Sequence, residues 1–234
     1  MTQYLKNLCF TESPSSILEQ KIFFEKAFVE VGYKNQEGIN RFNLDIVSLS
    51  WFFDFLENDE NSIYLQHALV LNKFNEQFIN EFVKQKIELC NLEEDEEKSF
   101  FCLSNYFKYE AEEWLYTNNV NLKYIHKAAE WDYYIDFSEI NTMENWSDFN
   151  RSIYLNLKEK SSSKKYSFKL NIISPIYIQN KLKETNVFYI KNAIAIKFFD
   201  QKIIENQIDK ILKNFDYKKN EYLINCLSYY FEKN

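Results

Sequence analysis

The runs Ile153-Tyr154-Leu155-Asn156-Leu157 and Tyr166-Ser167-Phe168-Lys169-Leu170-Asn171-Ile172 alternate apolar with polar residues on either side of Lys160-Ser161-Ser162-Ser163-Lys164. A period of two places successive side chains on opposite faces of a strand, so the pair reads as an antiparallel β-hairpin. Upstream of Arg151 the apolar residues recur at three- and four-residue steps instead, the helical period. This change of period predicts an α+β fold that is predominantly helical. An N-terminal multi-helix part is followed by a small antiparallel β-sheet with two C-terminal helices.

Within the first part, Ser16-Ile17-Leu18-Glu19 has the form of a capping box. Ile17, Phe24, Phe28 and Val31 then continue one helical face until Gly32 supplies a stop. Leu44 to Leu56 is apolar nearly all round, with Ile46, Val47, Leu49, Trp51, Phe52, Phe53 and Phe55, and reads as a central core helix. Phe74, Phe78, Phe82 and Ile87 mark a further helix, with no glycine or proline dividing it from Ser62 to Leu71. Phe100, Leu103, Phe107, Ala111 and Trp114 give another, and Leu122 to about Tyr134 a weaker one.

Beyond the hairpin, Val187–Ile190 and Ala193–Phe199 flank Lys191-Asn192 and suggest a second hairpin, although the favoured Asn-Gly turn is missing. Ile204, Ile208, Ile211 and Phe215 predict one closing helix, and Leu223, Leu227 and Tyr230 the other. No internal repeat at a fixed spacing is visible.

Charge divides the 234-residue chain at the same place. Residues 1 to 150 hold 12 Lys+Arg against 27 Asp+Glu, a net of −15, and the remainder holds 16 against 8, a net of +8. The expected organisation is an acidic helical domain over 1–148 and a basic α+β domain over 149–234, packed as one unit or as two. Charge asymmetry of this kind speaks to partners rather than to fold.

Composition narrows the classes. No run of about eighteen apolar residues is present to span a bilayer, and the first ten residues lack an export-leader pattern. Cys9, Cys90, Cys102 and Cys226 have neither zinc-ribbon nor redox-motif spacing and read as reduced thiols. The expected location is therefore cytoplasmic. Only Arg41 and Arg151 are arginine among 28 basic residues, and glycine and proline number two each. This is the bias of an A/T-rich genome, so the 18% aromatic content is not by itself a base-stacking surface.

Chemistry finds little to stand on. Gly32 and Gly38 cannot make a dinucleotide fingerprint, a P-loop or a nucleophile elbow. His67 and His126 stand alone, without a second imidazole within a turn, and read as structural. Asp200-Gln201-Lys202 has the acid-x-lysine spacing of metal-dependent nucleases, but Asp200 also suits the N-cap of the helix that follows. No catalytic residue, metal or cofactor is expected.

The run Glu93-Glu94-Asp95-Glu96-Glu97 lacks the alternating ligands and central glycine of a calcium loop. Together with Glu110, Glu112 and Glu113 it offers an acidic face for a partner, and these eight are the candidate binding residues. Lysines 158, 160, 164, 165, 169, 181, 183, 191 and 197 offer the opposite charge. The profile favours a non-enzymatic protein-binding inhibitor, an immunity protein or antitoxin-like protein whose acidic surface neutralises a basic toxin or nuclease. The alternatives are a nucleic-acid-associated defence or mobile-element protein using the lysines, and an unrecognised metal-dependent nuclease. No membrane partner is expected.

Overall fold

The computed structural model describes residues 3–18, 20–33, 39–58, 62–91, 100, 102–109, 131–140, 146–160, 164–213, 227–228 and 231–233. Strands β1 (Gln3–Phe10), β2 (Phe24–Tyr33) and β3 (Ile39–Ser48) precede helix α2 (Leu49–Asn58), strand β4 (Ser62–Leu71), helix α3 (Glu76–Cys90) and the short strand β5 (Lys108–Tyr109). One turn of helix, α1 (Pro14–Leu18), lies between β1 and β2. Then follow β6 (Trp131–Asp136), β7 (Asn150–Glu159), β8 (Lys165–Ile173), helix α4 (Pro175–Thr185), β9 (Val187–Ile196), helix α5 (Gln201–Lys213) and β10 (Glu232–Lys233). Among the described residues no helix is long and apolar enough to cross a membrane.

The fold is thus a mixed β-sheet protein with helices, and the expectation of a predominantly helical chain is wrong. The segment read as a helix from Ile17 is a single turn that ends at Leu18, followed by strand β2. Phe24 and Phe28 share a face in either geometry, which hid the alternation of buried Ala27, Val29 and Val31. Gly32 ends no helix. It lies within β2 opposite Tyr4, and a Cβ there would meet the tyrosine ring at 2.8 Å.

The supposed core helix over 44–56 is the end of β3 joined to α2, and 62–71 is strand β4. Strands covered on both faces read as continuous apolar runs rather than alternating ones, so periodicity alone cannot tell them from a buried helix. The 131–134 end of another expected helix is β6. Residues 187–196 form one strand, with Asn192 at φ 47° where a second hairpin turn was expected. Helix α4 went unread. The hairpin β7–β8 and the helices α3 and α5 agree with their periodicity.

The chain divides into two compact units: residues 1–51, 67–123 and 185–191 in the first, and 52–66, 124–184 and 192–234 in the second. In the first, β1, β2 and β3 pair antiparallel and β3 pairs parallel with β4. Ile17, Phe42, Leu44, Ile46, Ile79, Val83, Ile87 and Phe107 belong to its buried core. In the second, β6, β7 and β8 pair antiparallel and β8 pairs parallel with β9. Here Ile153, Leu155, Leu157, Phe168, Leu170, Ile204 and Ile208 are buried.

The same order of elements therefore occurs twice, over residues 3–109 and 131–233, and the registers coincide. Phe24 to Gly32 pair with Val47 to Ile39, and Asn150 to Lys158 pair with Ile173 to Lys165, each number raised by 126. The parallel pairs Asp45–Ala68, Ile46–Leu69 and Val47–Val70 recur as Asn171–Ala193, Ile172–Ile194 and Ile173–Ala195.

Side chains repeat with the backbone. Phe74 meets Phe10 and Phe23 edge-on at 5.3 and 5.8 Å, and Phe199 meets Phe137 and Phe149 at 6.2 and 6.4 Å. Fully buried Leu103 and Phe107 lead into β5, which pairs with β3 at Phe42. Their counterparts Leu227 and Phe231 lead into β10, which pairs with β8 at Phe168.

Candidate partner-binding surface

The eight acidic candidates, Glu93, Glu94, Asp95, Glu96, Glu97, Glu110, Glu112 and Glu113, lie outside the described residues, but their flanks are well anchored. Asn75 caps α3 by accepting the Phe78 N–H at 2.9 Å, and the helix ends at buried Cys90. The next residue, Asn91, is tied to β1: its Oδ1 accepts the Gln3 amide and its Nδ2 donates to the Gln3 carbonyl at 2.7 Å. On the far side, buried Leu103 and Phe107 fix a helical turn, and β5 ends at Tyr109 paired with Phe42. The acid run leaves from Asn91, and Glu110 follows directly on the end of a paired strand.

The same part of the chain exposes apolar side chains, among them Phe24, which the helical reading had placed on its apolar face. Phe24 is 41% exposed, with its ring 4.8 Å from that of Trp51, and Leu18 and Ile22 are more exposed still. The exposure of Phe24 was legible only with strand geometry, which turns it away from Ala27, Val29 and Val31.

The histidine is structural. His67 Nδ1 lies 2.7 Å from Tyr189 Oη, which in turn lies 3.0 Å from the Tyr106 carbonyl. The phenol proton goes to the carbonyl, so the imidazole N–H donates to the phenol oxygen. Burial, with Lys191 and Lys108 adding like charge, holds the imidazole pKa down to about 3. Burial also raises the Tyr189 phenol well above its usual range. Both shifts favour the neutral form of each ring near neutral pH. His126 lies outside the described residues.

Asp200 is the N-cap of α5. Its Oδ1 accepts the amides of Lys202 and Ile203 at 2.9 and 3.1 Å. Among the described residues no group of three His, Cys, Asp or Glu side chains is placed to hold a metal ion. Cys9, Cys90 and Cys102 are in no disulfide, and Cys226 lies outside the described residues.

The candidate lysines do not form one patch of bare charge. Lys160 pairs with Asp132 at 3.2 Å, Lys181 with Glu184 at 3.0 Å and Lys197 with Glu57 at 2.8 Å. Lys191 donates to Asn105 Oδ1. Lys158, Lys164 and Lys165 are exposed around the tip of the β7–β8 hairpin.

The comparisons with known proteins point to one class, the immunity proteins. Residues 16–114 match the family model described as Immunity protein 8, a span of less than half the chain that falls largely on the first repeat. This likeness supports an immunity protein. No curated protein and no solved structure match the chain.

Proposed function

We propose that the chain is an immunity protein, a non-enzymatic inhibitor that binds and neutralises a basic toxin or nuclease in the cytoplasm through the acidic segments 93–97 and 110–113. The observation that carries this reading is the match to Immunity protein 8, whose span of 16–114 contains every one of the eight acidic candidates. Phe24, Ile22 and Leu18 lie in the same span and supply the kind of exposed aromatic and aliphatic anchor on which protein interfaces concentrate their energy. Opposite charge speeds the encounter and favours the right partner, and aromatic contacts then slow its dissociation.

The test measures binding of the full chain to purified basic toxin and nuclease domains. The variant E93K/E94K/E96K should fold as the wild type does, which far-UV circular dichroism and urea unfolding of the variant check. Its association with the toxin should be slower, most visibly at low salt where screening is weak. Phe24→Ala should instead raise the dissociation rate. If the reversed variant binds and neutralises at the wild-type rate, the acidic segments are solvated surface and the proposed interface is wrong.

A further inference from the structure

The second half of the chain, residues 131–233, lies outside the family match, yet its fold is that of the matched half in order, register and caps. Ser48 Oγ accepts the amides of Phe23 and Trp51, both at 3.0 Å, and Ser174 Oγ accepts those of Phe149 and Tyr177 at 3.0 and 3.1 Å. Asn75 and Asp200 cap the corresponding helices. Ile79, Val83 and Ile87 on α3 have buried counterparts in Ile204, Ile208 and Leu212 on α5.

Even the buried polar residues of the fourth strand correspond. His67 bonds Tyr189, and at the equivalent positions Asn192 Oδ1 accepts from the Tyr64 hydroxyl at 3.3 Å. Agreement at so many independent positions, with a shared pattern of caps and ring contacts, is the mark of one domain present twice.

The surfaces have diverged where the cores have not. Residues 3–109 hold 10 Lys+Arg against 18 Asp+Glu, whereas 131–233 hold 16 against 13. The sharpest local difference is at the tip of the first hairpin of each repeat. In the first repeat Gly32 faces Ile39; in the second, Lys158 faces Lys165, with exposed Lys160 and Lys164 beside them. Like charges directly opposite on antiparallel strands cost stability. Asp132, opposite Lys158 and 3.2 Å from Lys160, offsets part of that charge. The first repeat carries no such opposed pair at this place, so the fold itself does not require it.

We infer that residues 131–233 are a second immunity-type domain, and that its lysine-tipped hairpin binds an acidic protein partner distinct from the basic toxin taken by the first. The inference rests on the immunity reading for its class of ligand, and on the duplicated fold and the opposed lysines for its place. A protein ligand fits better than a nucleic acid, because Arg151 is the single arginine in this repeat. Lysine alone lacks the planar fork that grips phosphate at two points.

The test uses the full chain, with a fluorescent oligoglutamate peptide and a fluorescent DNA duplex as probes. Wild type should bind oligoglutamate with an affinity that falls as salt rises. K158E/K160E/K165E should bind it about tenfold more weakly or worse, the equivalent of about 1.4 kcal/mol. The neutral variant K158Q/K165Q should be intermediate and serves if the reversed variant folds poorly. E93K/E94K/E96K should bind the peptide no worse than wild type.

Tighter binding of the duplex than of the peptide, or equal peptide binding by wild type and both lysine variants, overturns the inference. The two readings separate cleanly. Toxin neutralisation with no peptide binding removes the second site and leaves the first, whereas lysine-dependent peptide binding without neutralisation removes the immunity reading and leaves the second site.

Discussion

Ser48 and Phe23 close a ring of two hydrogen bonds: the Phe23 amide donates to Ser48 Oγ at 3.0 Å, and the Ser48 amide donates to the Phe23 carbonyl at 2.9 Å. Ser174 and Phe149 close the same ring at the same distances. Each serine also caps the helix that follows, so its hydroxyl oxygen serves two amides, one at the entry to a strand and one in the first turn of a helix.

Ser48→Ala and Ser174→Ala should therefore each destabilise the protein by about 2 kcal/mol, since a cap is lost and a buried amide is left without its acceptor. Urea unfolding of the two variants would measure this. A cost below about 0.5 kcal/mol at either site would show that the duplicated ring contributes nothing there.

The β7–β8 hairpin was legible because one face of each strand is less buried than the other, so Ile153, Leu155 and Leu157 stand out against Tyr154 and Asn156. β3 and β4 were not, because burial on both faces removes the alternation: Ala68, Leu69, Val70 and Leu71 are consecutive and all buried. The repeat escaped notice for a different reason. The correspondence between copies is 127 residues at Phe10 and Phe137, 126 at Phe42 and Phe168, 125 at Phe74 and Phe199, and 124 at Phe107 and Phe231. Single-residue changes in the loops shift the phase each time, and apolar residues substitute for one another across the copies, so no fixed spacing survives in the sequence. Of the surface, the acid run and the lysines were readable as charge, whereas exposed Phe24 required knowing that its segment is a strand.

Acid should weaken the fold through His67. Its pKa is about 3 in the folded protein against 6.5 when unfolded, so between these values the unfolded chain binds a proton that the folded one refuses. The stabilisation is fully present above pH 6.5 and is lost as pH falls toward the folded value, by up to about 1.4 kcal/mol per pH unit. His67→Gln keeps a donor for Tyr189 and cannot titrate. Its stability between pH 7 and pH 4, followed by urea unfolding, should fall less steeply than that of wild type by up to one proton. Parallel pH dependences would mean that His67 is protonated in the folded state after all.

Asp200 separates a cap from a ligand by a single conservative change. Asn is as good an N-cap as Asp, and Ala is not. Asp200→Asn should leave stability nearly unchanged, and Asp200→Ala should cost about 1 kcal/mol in thermal or urea unfolding. A carboxylate held for a divalent cation would behave otherwise: Asn would remove the charge, and added magnesium or manganese would raise the melting temperature of wild type alone.

Asn192 tests why β9 runs on where the sequence suggests a turn. Its φ of 47° lies in the left-handed region, inside a strand whose neighbours Ala193 and Ile194 keep their parallel register with β8. Asparagine tolerates this conformation better than most residues, and a β-branched side chain tolerates it worst. The position is also buried and bonded to Tyr64, so two effects compete in any substitution. Gly removes the backbone strain and loses the bond; Ala keeps part of the strain and loses the bond; Val adds branching to both losses. Stability should therefore fall in the order Asn, Gly, Ala, Val, with Val costing about 2 kcal/mol or more. Tyr64→Phe isolates the hydrogen bond and should cost no more than about 1 kcal/mol, since a 3.3 Å contact is near the long end of the range. If Asn192→Val unfolds at the same urea concentration as Asn192→Gly, the left-handed backbone is not what carries the strand through this point.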